Sequence, residues 1–160
     1  MPLDFNKHAQ KGNQFLNELA LELGGQPDKA KAGKILRAVF KTLRNHLTLA
    51  ENFQLLSQLP LALKGVYVEA WMPTHKIEAG RKKIDFVEEV LANANKDTWP
   101  RSEDVETMLK GIRAVFKTLK KYISEGEFND IEAILPRQLK KLLRESIYQR
   151  NISFKLVTEK

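Results

Sequence analysis

The sequence predicts an all-α fold, two tandem four-helix repeats packed into one compact helical body. Three observations carry that expectation. The stretch Ile35 to Trp71 recurs without a gap as Gly111 to Ile147. Apolar residues in both copies follow a helical period, and both copies start and stop their helices with the same signals at the same offset.

The duplication is anchored by Arg37-Ala38-Val39-Phe40-Lys41-Thr42-Leu43, which is identical to Arg113-Ala114-Val115-Phe116-Lys117-Thr118-Leu119 at an offset of 113 − 37 = 76. Thirteen of the 37 aligned pairs are identical, where composition alone gives roughly two. Upstream, Phe15-Leu16-Asn17-Glu18-Leu19 resembles Phe86-Val87-Glu88-Glu89-Val90 at an offset of 71. The second copy therefore carries five extra residues between its first two helices, around Asn95 to Ser102.

The first helix of copy one closes at Gly24-Gly25, as glycine does when it supplies a left-handed cap. The second helix is read from Leu36, Val39, Phe40, Leu43 and Leu47, and its counterpart from Ile112, Val115, Phe116, Leu119 and Ile123. Those spacings share one face. The third helix opens on a capping box in each copy, Thr48 with Glu51 and Ser124 with Glu127. It should end near Ser57 or Ala133, because Pro60 and Pro136 lack an N–H and disfavour helical geometry in the preceding residue. The fourth helix then begins on the proline. It should bury Leu63, Val66, Tyr67 and Ala70 in copy one, and Leu139, Leu142, Leu143 and Ile147 in copy two. These boundaries divide the chain into a first repeat over 4–72, a linker over 73–83, a second repeat over 84–148 and a tail over 149–160. The tail segment Ile152 to Val157 reads equally as a short strand, an extended arm or a helix end.

The 160 residues include 27 Lys plus Arg against 20 Asp plus Glu, a net charge of +7. That makes nucleic acid a candidate partner. Residues 1–80 carry +3 and residues 81–160 carry +4, with no basic arm. No window approaches the roughly 18 consecutive apolar residues needed to span a bilayer, and no membrane association is expected. The start, Met1 to Lys7, lacks a signal-peptide core, so the expected location is cytoplasmic. The absence of cysteine excludes disulfides, thiolate metal sites and a cysteine nucleophile.

Catalytic chemistry finds little footing. His8, His46 and His75 are scattered, with no pair at helical ligand spacing, and neither a metal nor another cofactor is expected. Gly24-Gly25 is not followed by the Lys and Ser or Thr of a nucleotide cradle. The expectation leans away from an enzyme.

Arg37 and Arg113 lie inside the seven-residue identity, one step after an apolar position, and Glu69 and Glu145 also recur. They are candidates for buried or half-buried ion pairs between helices. Arg137, Lys140, Lys141 and Arg144 form a stripe at i, i+3, i+4 and i+7, and Arg113, Lys117, Lys120 and Lys121 form another. These would neutralise phosphates, or else serve as solvated faces whose stems cover apolar surface. The copies diverge most at Gly65 to Pro73. A glycine inside a helix costs about 1 kcal/mol relative to alanine, so Gly65 suggests a close backbone approach, with Tyr67 and Trp71 lining one side and Glu69 nearby. Gly65, Tyr67, Glu69 and Trp71 are therefore the candidate binding surface.

The run Leu36-Arg37-Ala38-Val39-Phe40-x-x-Leu43-Arg44, then Gln58-Leu59-Pro60, then Lys64-Gly65-Val66-Tyr67-x-Glu69-x-Trp71-x-Pro73, is similar to the bacterial helical-repeat family catalogued as domain of unknown function 2267. The resemblance extends from about Phe15 to Ile147. It implies a soluble prokaryotic protein with tandem helical repeats, and it carries no established activity, cofactor or catalytic residue to transfer. The chain departs from the pattern at Ala70, where glycine is usual, and at Met72, where an acidic residue is common. Three functions remain in view. The leading one is a non-enzymatic interaction or scaffold module that binds a protein partner or itself. The others are nucleic-acid binding through basic helix faces, and a small-molecule or enzymatic site between the repeats.

Overall fold

Asp4 and Asp28 start the first two helices by the same device: each carboxylate accepts backbone N–H groups that have no partner within the helix, from Asn6 and Lys7 in one case and Lys31 in the other. The computed structural model describes residues 2–73, 85–94 and 104–144, and every regular element among them is helical. They are α1 (Phe5–Glu22), α2 (Lys29–His46), α3 (Leu49–Gln58), α4 (Leu61–Val68), α5 (Asp85–Ala94), α6 (Asp104–Leu119) and α7 (Glu125–Ile134). A further helix, α8, covers 137–144. The arrangement is compatible with two four-helix copies. Residues 74–83 of the expected linker, the extra residues around Asn95 to Ser102, Glu145, Ile147 and the tail lie outside the described residues.

Helix boundaries follow local chemistry. Gly24 and Gly25 end α1 with φ of 78° and 68°, the left-handed region that glycine enters at no steric cost. Both capping boxes form: Thr48 N–H donates to Glu51 Oε1 at 2.9 Å while its hydroxyl accepts from Glu51 N–H at 3.1 Å. Ser124 and Glu127 repeat the exchange at 3.2 Å in each direction. The helices before the prolines run one residue beyond expectation, to Gln58 and Ile134, and Pro60 is the N-cap of α4.

A single cluster of buried apolar residues joins the helices. Its centre is α2, which packs against α1, α4, α5 and α6, so the core is shared between the two halves of the chain. Further contacts between the halves pair α1 with α6 and α3 with α7. Two glycines permit close crossings. A Cβ on Gly12 would stand 2.8 Å from the Ala62 Cβ, where α1 meets α4. On Gly111 it would stand 3.0 Å from Ile35 Cγ2, where α6 meets α2.

Polar groups fasten the same contacts. The Asn93 amide on α5 donates to Thr42 Oγ1 at 3.0 Å, and the Thr42 hydroxyl turns back to the Ala38 carbonyl. His46, ending α2, lies 2.5 Å from Glu89 on α5 and stacks edge-on against Phe86. On the α1–α6 side, Glu22 receives Lys117 at 2.8 Å and Lys121 at 3.5 Å. Partial burial works to raise the Glu22 carboxyl, but the two lysines outweigh it and hold the group below its ordinary value.

Candidate functional site

The site is organised by Arg44 on α2 and by the way α4 ends. Glu69 closes α4, Ala70 turns the backbone with a φ of 55°, and Trp71 N–H returns to the Val68 carbonyl at 3.0 Å. This leaves unpaired carbonyls at the negative end of the helix. Arg44 caps them: its Nη1 donates to the Tyr67 carbonyl at 3.0 Å and to the Glu69 carbonyl at 2.9 Å. Its guanidinium also lies 6.0 Å from the Trp71 ring centroid, within range of a cation–π attraction. Burial pulls the Arg44 guanidinium below its ordinary value, against the opposing pull of Tyr67 and Glu69, and its Nε is buried without a partner among the described residues.

Asn52 ties this cap to the turn between α2 and α3. Its amide donates to the carbonyls of Arg44, Leu47 and Thr48, at 3.2, 3.2 and 3.0 Å, and its Oδ1 accepts the Tyr67 hydroxyl. Both side chains are buried, Tyr67 completely. Burial raises the Tyr67 phenol well above its ordinary value despite the nearby Arg44 charge. The Tyr67 ring packs edge-on against Phe40 and Trp71, at centroid distances of 5.1 and 6.2 Å. At the offset of 76 the counterparts of Asn52, Tyr67 and Arg44 are Phe128, Leu143 and Lys120. Lys120 Nζ lies 5.5 Å from the Phe128 ring centroid, a cation–π contact where the first half has a hydrogen-bonded network.

Two surface pockets flank Arg44. One, of about 510 Å³, is lined by Arg37, Lys41, Arg44, Val66, Glu69 and Ala70. The other, of about 240 Å³, is lined by Arg44, Trp71, Pro73 and the residues of the α2–α3 turn.

The structure divides the four candidate surface residues between core and surface. Gly65 is exposed and a Cβ there would meet nothing within 4 Å among the described residues, so none of them makes the anticipated close approach. Tyr67 is core rather than lining, Glu69 lines the larger pocket and Trp71 the smaller. Ala70, expected in the core, is exposed because α4 has already ended. Arg37 Nε donates to Glu69 Oε2 at 3.2 Å, but the two side chains are 64% and 57% exposed, so this is a surface pair rather than a buried one. Of the counterpart pair, Glu145 lies outside the described residues, and Arg113 Nε is buried with no partner among them.

Arg137, Lys141 and Arg144 are exposed on α8, whereas Lys140 bends back so that its Nζ donates to the Ala133 carbonyl at 2.8 Å. In the second basic stripe, Lys117 and Lys121 hold Glu22. No group of three or more metal-ligating side chains gathers among the described residues, and none of their helices is long and apolar enough to cross a membrane.

The family model described as "Uncharacterized conserved protein (DUF2267)" matches residues 12–142. The chain belongs to the DUF2267 family. No curated protein matches it. The DUF2267 region contains the whole Arg44, Asn52 and Tyr67 network and both pockets. Sequence reasoning missed Arg44 and Asn52. The signal for Asn52 was its replacement by Phe128 at the offset of 76, a polar residue at a position with a core counterpart. For Arg44 it was the i, i+4, i+7 spacing with Arg37 and Lys41.

Proposed function

We propose that this DUF2267 protein is a non-enzymatic helical interaction module, built from four-helix repeats over 4–72 and 84–148, that docks a partner helix on the outer face of α3 and α4. The supporting observation is a contrast between equivalent positions. Leu49, Phe53, Leu61 and Val68 are large apolar side chains exposed by 51%, 60%, 43% and 42%. Their counterparts at the offset of 76 are Glu125, Asn129, Arg137 and Arg144, all exposed and polar, as a solvated face requires. The first half therefore presents apolar residues where the second presents charge and amide, a pattern suited to a covered surface.

Gly65 sits between Leu61 and Val68 on the same face, at i, i+4 and i+7. Elsewhere in this fold, Gly12 marks a crossing too close for a Cβ, and Gly111 one where a Cβ would be tight. A Cβ on Gly65 would have no neighbour within 4 Å among the described residues, which suits a helix arriving from outside. The reading also places the protein in a prokaryotic cytoplasm. Nucleic-acid binding has less support, because Lys117, Lys121 and Lys140 are engaged within the protein.

The test uses the residue types of the second half as replacements: Phe53→Asn, Leu61→Arg and Val68→Arg together. All three side chains are substantially exposed, so the fold is retained. Sedimentation velocity follows self-association, and affinity capture from the native cell compares parent and variant under identical conditions. The parent should form a dimer or capture a protein that the variant loses. An unchanged hydrodynamic mass together with an unchanged captured set would refute the reading.

A further inference from the structure

We infer that the open pocket between α2 and the carboxyl end of α4 binds a small phosphate monoester through Arg37 and Arg44. This goes beyond the docking face, which lies on the outer side of α4. At about 510 Å³ the pocket is of small-molecule size. Its lining sets Arg37 and Arg44 beside one carboxylate, Glu69, with Lys41, Val66 and Ala70 completing the wall.

The two guanidiniums are each held by one part and open at another. Arg37 gives Nε to Glu69, and Arg44 gives Nη1 to the Tyr67 and Glu69 carbonyls. None of these bonds uses Arg37 Nη1 or Nη2 or Arg44 Nη2. A guanidinium already anchored loses less freedom on binding, and its remaining N–H groups form the fork that oxyanions accept. Arg37 and Arg44 lie about 10.5 Å apart along the α2 axis, yet both guanidiniums reach Glu69, Arg37 at its carboxylate and Arg44 at its carbonyl.

The charge and shape of the ligand follow. The two guanidiniums outweigh Glu69, so net attraction grows with the charge of the anion, and a single carboxylate offers only two oxygens to share between two forks. A phosphate monoester carries close to two negative charges near neutral pH and presents three oxygens. The phosphodiester of a nucleic-acid backbone has one charge and two free oxygens, and it would engage exposed cations elsewhere on the surface as well.

Isothermal titration calorimetry and backbone amide shifts on the full chain at about 50 mM salt test the assignment. The probes are inorganic phosphate, ribose 5-phosphate, succinate and a short DNA duplex, each with the parent, Arg37→Gln and Lys141→Gln. Ribose 5-phosphate should bind saturably and shift amides within 37–44 and 66–70. Arg37→Gln, an exposed side chain whose loss leaves the fold intact by thermal melting, should weaken binding roughly tenfold or more, and Lys141→Gln should not. Absence of saturable binding by either phosphate probe overturns the inference. So does succinate binding as tightly as ribose 5-phosphate, which removes the phosphate preference. Equal weakening by Arg37→Gln and Lys141→Gln, or duplex binding lost equally in both, would assign the effect to diffuse surface charge and overturn it too.

Discussion

Replacing helical glycines by alanine separates local helix propensity from packing, and the geometry fixes the sign at each site. At Gly65 an added Cβ meets nothing within 4 Å and the residue is exposed, so the methyl group gains no contact and creates no clash. Only the backbone effect remains, and Gly65→Ala should stabilise the protein by about 0.8–1 kcal/mol. For a chain of this size that corresponds to a rise in melting temperature of roughly 2–4 °C. At Gly12 the same helix gain is opposed, because the new Cβ would stand 2.8 Å from the Ala62 Cβ and α1 must move away from α4. Overpacking of this kind costs about 1–3 kcal/mol, which leaves a net loss of roughly 1 kcal/mol. Gly111 is intermediate: its nearest neighbours are side-chain atoms of Ile35, which is fully buried and has limited room to yield. Calorimetry or urea unfolding of the three variants reads the order Gly65→Ala above parent, Gly111→Ala at or below it, Gly12→Ala lowest. A drop in stability for Gly65→Ala would show that the position is crowded in the free chain and would refute the reasoning.

Ala70→Gly should stabilise by about 0.5–1 kcal/mol by thermal melting, since Ala70 holds a φ of 55° that costs a Cβ-bearing residue about 1–2 kcal/mol, less the extra freedom glycine has when unfolded. Asn52→Ala should cost about 2–4 kcal/mol in urea unfolding, because it strands the buried Tyr67 hydroxyl and releases three carbonyls. Tyr67→Phe should cost about 1–2 kcal/mol, and the double variant less than the sum. Glu22 has a depressed carboxyl, so its stabilisation is present above the ordinary value of 4.5 and is lost as pH falls through the lower folded value; Glu22→Gln should flatten that acid limb. Tyr122 is pushed up to about 12, first by burial and then by the Glu18 carboxylate beside it. Its contribution is intact below the ordinary value of 10 and lost as pH rises towards 12, and Tyr122→Phe should flatten that alkaline limb.

The helices were legible because their determinants are local. An apolar period, a hydroxyl three residues before a glutamate, and a proline each act within one or two turns, and α3 and α7 begin and end within a residue of where these signals place them. Contacts between helices were not, because they depend on how two helices rotate against each other. Nothing in the spacing of Glu22 and Lys117, or of His46 and Glu89, announces that they meet. The recurrence of Arg37 and Glu69 pointed to a shared role, but exposure depends on where α4 stops, and α4 stops before Ala70. Gly65 misled for the same reason: a helix-breaking residue records a constraint without recording whether the neighbour belongs to the same chain.

The contrast between halves bears on why the first one keeps a costly arrangement. Burying Asn52 and Tyr67 strips two polar groups of water, and their mutual hydrogen bonds recover that loss only while every partner is in place. The second half has Phe128, which is buried, and Leu143, which is half-buried, at the equivalent positions, and both pack in the apolar core without a buried polar pair. What the polar version adds is position. Asn52 grips the Arg44 carbonyl while Tyr67, fixed by its hydroxyl, presents its own carbonyl to the Arg44 guanidinium. Arg44 is thereby held at both its backbone and its side chain, beside the two pockets. A lysine at that position, such as Lys120, would keep the charge but not the planar fork that caps two carbonyls and still has N–H groups to spare. The features that distinguish the first half thus converge on Arg44 and the end of α4, while the shared features account for the helices that support them.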